Sequence, residues 1–106
     1  MELLPKEIQD KIPKLYETER IPTSEKIIYT RYYAKNTNWV WYAVEYSKDD
    51  DKIFFGYVQG FANEWGYFGL KEFEDINAKE QLIIRDEKFT PTKFKDLELW
   101  VSTKIY

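Results

Sequence analysis

Few side chains in this chain can carry out chemistry. The 106 residues include no His and no Cys, which excludes Cys/His zinc sites, disulfides, thiol nucleophiles and Ser–His–Asp triads. One catalytic pattern is present: an apolar strand that ends in Asp86-Glu87-Lys88, with Glu74 or Asp75 upstream. Two carboxylates that hold Mg²⁺, beside a lysine that helps activate water, are typical of a nuclease.

This nuclease pattern is weak, because three letters carry little information in a chain that is 33% charged. The run Asp49-Asp50-Asp51 lacks the spacing of a calcium loop and is typical of a solvated turn. The four glycines form no phosphate-binding loop, and Gly56, inside a predicted strand, indicates a bulge or a close approach to another side chain. We therefore expect no enzyme activity, cofactor or metal, and keep a Mg²⁺-dependent nuclease as an alternative.

Aromatic residues are the strongest functional signal. They make up 19% of the chain and concentrate between positions 29 and 68. They predict either a stacking platform for single-stranded nucleic acid or sugar rings, or a core with cross-strand aromatic ladders. The core interpretation is favoured, since so small a domain needs large side chains, and Arg31 is the lone basic residue within the predicted aromatic strands.

The net charge argues against a duplex-DNA binder and against a mimic of the phosphates of DNA. Sixteen Lys and Arg against nineteen Asp and Glu give a charge of −3, whereas duplex-DNA binders carry a basic surplus and phosphate mimics are far more acidic. No apolar run approaches the roughly 20 residues that span a bilayer. Residues 1–7 lack the basic and apolar regions of a signal peptide. We therefore expect a cytoplasmic protein without membrane association.

The elements that position these side chains begin with an N-terminal segment, residues 1–26. Pro5 suits the first turn of a short helix, and Pro13 ends it. Residues 14–26 carry a few apolar side chains, such as Tyr16 and Ile21, among charges. We predict irregular chain there, held to the core by its apolar residues.

Residues 27–69 predict an antiparallel meander. β-Branched and aromatic runs at 27–34, 39–46 and 53–59 have strand length, short polar turns separate them, and residues 67–69 suggest a fourth strand. In the central strand the alternation places Trp39, Trp41 and Ala43 on one face. Val40, Tyr42, Val44 and Tyr46 fall on the other.

Residues 70–98 predict short helices and one strand. Apolar spacing favours a helix over 70–77, residues 81–85 resemble a strand, and a helix is expected over 93–98. The remaining residues, 99–106, form either a tail or an edge strand. The fold class is thus α+β: a single domain with an antiparallel sheet of four or five strands and two or three short helices.

Six short motifs follow one another in an order that resembles a known family. They are Leu3-Leu4-Pro5, Ile12-Pro13-x-Leu15-Tyr16-x-Thr18-Glu19, Asn38-Trp39-x-Trp41-Tyr42, Phe54-Phe55-Gly56-x-Val58-x-Gly60-Phe61, Glu64-x-Gly66-Tyr67-Phe68 and Arg85-Asp86-x-x-Phe89-x-Pro91-Thr92. The family is the one catalogued as domain of unknown function 2958. The resemblance covers about residues 3–97, whereas the stretch after Ile76 and the tail 99–106 depart from it.

The resemblance implies a genomic setting for this chain but no particular biochemical activity. The family has no established activity, and its members are similar to accessory proteins of phages, plasmids and conjugative elements, some of them beside anti-restriction-type domains. This implies a role in counter-defence or DNA transfer. The leading prediction is a non-enzymatic protein that binds and occludes a host defence protein, such as a CRISPR effector or a restriction nuclease.

We expect the partner to bind an aromatic region, because Tyr and Trp are favoured anchors at interfaces. The candidate residues are Trp39, Trp41, Tyr42, Trp65 and Tyr67. The alternative is that the same sheet face binds single-stranded nucleic acid. Flanking lysines would favour nucleic acid, an acidic rim would favour a protein, and converging carboxylates would favour a metal. The sequence leaves the oligomeric state open.

Overall fold

Strands dominate the part of the chain that a computed structural model describes, residues 2–49 and 51–97. The elements in chain order are α1 (Lys6–Lys11), β1 (Ile27–Ile28), β2 (Thr30–Ala34), β3 (Val40–Tyr46), β4 (Ile53–Gln59), β5 (Asn63–Gly69), α2 (Leu70–Lys79), β6 (Ile83–Arg85) and β7 (Thr92–Lys93). Short 3₁₀ turns lie at Thr23–Glu25 and Phe94–Asp96.

The main sheet has five antiparallel strands in the order β5-β4-β3-β2-β6, and β1 pairs separately with β7. The predicted meander, the α+β class and the helix after residue 69 are therefore confirmed. The helix expected over 93–98 is a 3₁₀ turn at Phe94–Asp96 in the described residues. The predicted tail, 99–106, lies outside the residues that the structure describes.

One face of the sheet, here the α2 face, packs against α2 and the N-terminal residues. Tyr32 and Phe54 are fully buried there, and the Tyr32 ring lies 5.2 Å from that of Phe73 on α2. The Tyr32 hydroxyl donates a hydrogen bond of 2.6 Å to the carbonyl oxygen of Leu3. This bond and the buried Leu4 fasten the N-terminal segment across the sheet.

The opposite face, here the β7 face, packs against the segment around β7. Ile28, Val40 and Tyr42 are buried there, and Phe89 and Phe94 cover them from that segment. Both faces of the central strands are therefore buried. This explains why aromatic and β-branched residues occur at nearly every position of β3.

A β-bulge in β3 changes the predicted face of one residue. The register of β3 with β4 shifts between Ala43 and Glu45. Tyr46 therefore lies on the α2 face, where its ring is 4.8 Å from that of Phe54. The prediction that Tyr46 shares a face with Val40 is wrong, because a bulge inserts one residue and reverses the alternation beyond it.

The bulge also turns the Glu45 carboxylate toward residues 14–26. Glu45 is only 4% exposed and accepts hydrogen bonds from the Tyr16 amide at 2.7 Å, from the Thr18 amide at 3.1 Å and from the Thr18 hydroxyl. The ammonium of Lys26 donates to the Thr18 carbonyl oxygen. A buried polar network thus holds the segment. Of the apolar residues expected to hold it, Leu15 is half-buried, whereas Tyr16 and Ile21 are 61% and 41% exposed.

Candidate functional site

The five candidate aromatic residues do not form one surface. Trp39 and Trp41 lie at the α2 face, where both line the same groove. Tyr42 is fully buried on the opposite face, and its hydroxyl donates a 2.6 Å hydrogen bond to Gln59 Oε1. Tyr42 lies beneath the segment around β7 and offers no surface to a partner, so its assignment as a surface contact is wrong.

Trp65 and Tyr67 belong to the β7 face. The Trp65 ring packs 5.3 Å from Tyr57 and 5.0 Å from Phe94, which leaves it half-buried. Tyr67 is 56% exposed. A hydrogen bond with Tyr16, and to a smaller extent burial, raises the pKa of the Tyr67 hydroxyl. Trp65 therefore faces away from Trp39 and Trp41, whereas Tyr67, although its strand position is on the β7 face, also borders the groove that the two tryptophans line.

Three rings form a continuous aromatic row on the α2 face: Phe61, Trp39 and Trp41. Trp39 stacks on Trp41 with ring centres 5.6 Å apart, and Phe61 meets Trp39 edge-on at 5.2 Å. Trp41 in turn contacts Phe73 of α2, 4.9 Å away. The row therefore runs from the core to the surface, ending at Phe61, which is 98% exposed.

Gly60 makes room for this row. A Cβ atom built on Gly60 would lie 2.2 Å from the Trp39 ring, so the indole rests directly on the glycine backbone. Trp39 is thereby held on three sides, by Gly60, Trp41 and Phe61. Aromatic side chains fixed before binding lose little conformational entropy when a partner docks.

Phe61 is the member of this row that sequence reasoning did not select. Nothing in the alternation marks it, because it lies in the turn between β4 and β5 rather than in a strand. The available signal was local: a large aromatic residue directly after Gly60 in a hairpin turn has no strand face to bury it.

A groove of about 410 Å³ runs beside the row, and we call it the aromatic groove. Its lining consists of Trp39, Trp41, Val58, Glu64, Gly66, Tyr67, Phe68, Gly69, Glu72, Phe73 and Ile76. Among the described residues, no Lys and no Arg belongs to this lining. Within the described part of the chain, neither Glu64 nor Glu72 forms an ion pair. The groove is therefore apolar at its floor and acidic at its rim.

A larger concavity of about 920 Å³ lies on the β7 face, between β2 and residues 86–97. Two charged side chains that line it form an ion pair with each other: the Arg31 guanidinium pairs with the Asp86 carboxylate. Arg31 also lies over the Phe89 ring, 5.0 Å from its centre. Leu97 borders this concavity, and residues 98–106 lie outside the described part of the chain.

The carboxylates of the nuclease pattern are engaged at three separate places. Asp86 pairs with Arg31, Glu74 lies 3.8 Å from Lys52, and Asp75 lies 3.3 Å from Lys71. Among residues 2–49 and 51–97, no three acidic side chains converge as metal ligands would. Nor does any helix in that part have the length and apolar character needed to cross a membrane.

The fold and site thus define a small α+β domain with an aromatic row that reaches the surface at Phe61 and a groove with an acidic rim. A family model described as a protein of unknown function, DUF2958, matches residues 3–103, and the chain belongs to that family. The predicted family is therefore confirmed, whereas the expectation that the resemblance ends near residue 97 is wrong, because the match continues to residue 103. Comparison with curated proteins gave no match, and neither did comparison with solved structures.

Proposed function

We propose that this chain is a protein-binding module that docks its partner on the aromatic row and the aromatic groove. The observation that carries the proposal is the row formed by the exposed Phe61 and the half-buried Trp39 and Trp41, with an acidic rim beside it. Monomeric proteins seldom leave large rings in contiguous contact at the surface unless another molecule covers them.

The geometry favours a partner that buries rings. Hot spots at interfaces are enriched in tryptophan, and they combine a desolvated aromatic anchor with a surrounding rim. Trp39 and Trp41 supply the anchor, and Phe61 supplies an apolar projection. Ile76 of α2, 40% exposed, extends the apolar surface on the other side of the groove.

The charge at the rim selects the kind of partner. Glu64 and Glu72 would repel the phosphates of a nucleic acid and attract a lysine or arginine side chain. A basic side chain can also stack on an indole face through a cation–π contact. We therefore propose a protein partner that presents apolar and basic residues together, and we favour it over single-stranded nucleic acid.

We further propose that the partner is a host defence protein, such as a CRISPR effector or a restriction nuclease, that is occluded when this chain binds. Support comes from the setting that family resemblance implies, on phages, plasmids and conjugative elements. Occlusion requires binding energy and shape but no catalytic group, which suits a chain without His or Cys.

The test is a pull-down of the tagged chain from host-cell lysate, nuclease-treated and untreated in parallel, read by mass spectrometry. Phe61→Ala is the informative variant, because Phe61 is 98% exposed and its loss leaves the core intact. Ile21→Ala, which removes an exposed apolar side chain from the N-terminal segment, is the matched control.

The proposal predicts one protein that survives nuclease treatment, is captured by the wild type and by Ile21→Ala, and is lost with Phe61→Ala. Recovery of nucleic acid alone, or of proteins that disappear on nuclease treatment, contradicts protein binding. Capture of a protein without defence activity would retain the docking surface but overturn the proposed partner class.

A further inference from the structure

β5 leaves one edge of the main sheet open. It pairs only with β4 in the described part of the chain. The Leu70 amide donates to the Lys52 carbonyl oxygen at 2.9 Å, so even-numbered positions along β5 bond toward β4. Because hydrogen bonding alternates along an antiparallel strand, the N–H and C=O groups of Trp65 and Tyr67 point outward. No described residue bonds to that outer side.

The opposite edge of the sheet is capped. At β6 the Asn77 side chain donates to the Ile83 carbonyl oxygen at 3.0 Å and accepts from the Ile83 and Leu82 amides at 2.9 and 3.1 Å. Asn77 belongs to α2, so the helix that covers one face also closes this edge. β6 is only three residues long.

Apart from one charged side chain, Glu64, β5 lacks the features that usually protect a sheet edge. Proteins blunt exposed edges with lysines, prolines, bulges or very short strands. β5 has seven residues, pairs with β4 at all seven positions without a register shift, and contains no Lys, Arg or Pro. A long, regular, unprotected edge is a template for another strand.

We infer that β5 pairs with β5 of a second copy of this chain, antiparallel about a two-fold axis at Gly66. This register overlaps all seven residues, from Asn63 opposite Gly69 onward. It places Trp65 opposite Tyr67 of the second copy, twice, on the β7 face. Aromatic cross-strand pairs of this kind stabilise antiparallel sheets.

In this register the outward-pointing backbone groups of β5 also find hydrogen-bond partners. Trp65 and Tyr67, whose backbone groups point outward, become a hydrogen-bonded pair across the axis. Gly66 then faces Gly66 of the second copy in a non-hydrogen-bonded pair, where the strands approach to about 4.5 Å between Cα atoms. Glu64 is opposite Phe68, and the two Glu64 residues are four residues apart along the strands, about 13 Å.

The pairing has a consequence for the aromatic groove. A two-fold axis perpendicular to the sheet joins two five-stranded sheets into one and keeps both α2 faces on the same side. The two grooves would then adjoin at the axis, since Glu64 and Gly66 line each of them. The inference concerns self-association and stands apart from the identity of any other partner.

Two measurements test the pairing. Sedimentation equilibrium of the full wild-type chain over a concentration series is expected to show a mass that rises from 12.9 kDa toward twice that value. Single cysteines then test the register, which is unambiguous in a chain without Cys. A Cβ at Gly66 meets nothing within 4 Å, so Gly66→Cys is expected to fold. Across the axis its Cα spacing suits a disulfide.

Glu64→Cys, exposed on the same face of the same strand, is the matched control. Under mild oxidation Gly66→Cys is expected to form a disulfide-linked dimer at least tenfold faster than Glu64→Cys. A wild-type mass that stays at that of one chain at every concentration overturns the inference. So does a dimer in which Glu64→Cys cross-links as fast as Gly66→Cys, because its interface would lie elsewhere or in another register.

Discussion

Gly56 and Gly66 face each other across β4 and β5, yet only one of them has room for a side chain. A Cβ atom on Gly56 would lie 1.8 Å from the backbone carbonyl oxygen of Tyr42, whereas one on Gly66 would meet nothing within 4 Å. Gly56 is therefore required by the close approach of β3 at its bulge. The sequence predicts a bulge or a nearby side chain at Gly56; the structure has a bulge in the facing strand, and the nearest neighbour is backbone, which cannot move aside. Gly66 instead lines the aromatic groove, and the space that a side chain would take there is empty.

The two glycines predict opposite effects of the same substitution. Gly56→Ala is expected to lower the free energy of unfolding by about 3 kcal/mol, because β3 and β4 must separate to admit the methyl group. Gly66→Ala is expected to raise it by about 0.5 kcal/mol, since glycine weakens a strand interior. Urea unfolding followed by tryptophan fluorescence checks both. Equal effects of the two variants would contradict this account of the bulge.

Glu45 is expected to be the residue that holds segment 14–26 on the sheet. Glu45→Gln removes the charge from a carboxylate with three hydrogen-bond donors, and we expect a loss of about 2 kcal/mol in unfolding free energy. Hydrogen exchange of the Tyr16 and Thr18 amides should accelerate in the same variant. Glu64→Gln, exposed on β5, is the control and should change neither quantity. An unchanged exchange rate at Thr18 would refute the proposed anchor.

Asn77 is expected to stabilise the β6 edge. Asn77→Ala removes three hydrogen bonds to Leu82 and Ile83, and the expected cost is about 1 to 2 kcal/mol, since groups at a sheet edge are partly rescued by water. Lys79→Ala, an exposed change on the same helix, serves as the control. If both variants unfold at the same urea concentration as the wild type, α2 does not cap this edge.

Stability is expected to fall in alkaline solution because of the buried tyrosines. Burial raises the pKa of Tyr32 well above its usual value, so the folded chain keeps a proton that the unfolded chain releases above about pH 10. Stability is therefore complete below that pH and declines above it. Urea unfolding between pH 8 and 11 measures the slope. Tyr32→Phe should lose about 1 kcal/mol at pH 8 and show a shallower decline, and an unchanged slope would contradict the assignment.

Most of the sheet was predictable because its signal is local. Runs such as residues 39–46 and 53–59 combine strand-forming residues with short polar turns, and the structure has β3 and β4 there. The face of Tyr46 was not predictable, because the bulge before Glu45 depends on how β4 approaches β3. The anchor of residues 14–26 was missed for a related reason: a glutamate inside a strand gives no indication of the amides it will meet.

The candidate site was predictable only in part. Trp39 and Trp41 lie side by side as the alternation predicts, since residues two apart share a strand face. Tyr42 was selected with them, although its face is buried beneath the segment around β7, 50 residues further along the chain. The exposure of Phe61 is not predictable from the sequence, since it depends on a hairpin turn and on the position of Trp39. Which rings remain accessible therefore depends on segments, distant in the sequence, that pack over the sheet.

The affinity of the captured partner for wild type and variants tests the central claim most directly. Biolayer interferometry with the immobilised partner would compare Phe61→Ala, Trp39→Ala and the Ile21→Ala control, after circular dichroism shows that each is folded. The account predicts that Phe61→Ala and Trp39→Ala each weaken binding at least tenfold, about 1.4 kcal/mol, while Ile21→Ala binds as the wild type does. Wild-type affinity in Phe61→Ala and Trp39→Ala would contradict the assignment of the aromatic row as the binding site.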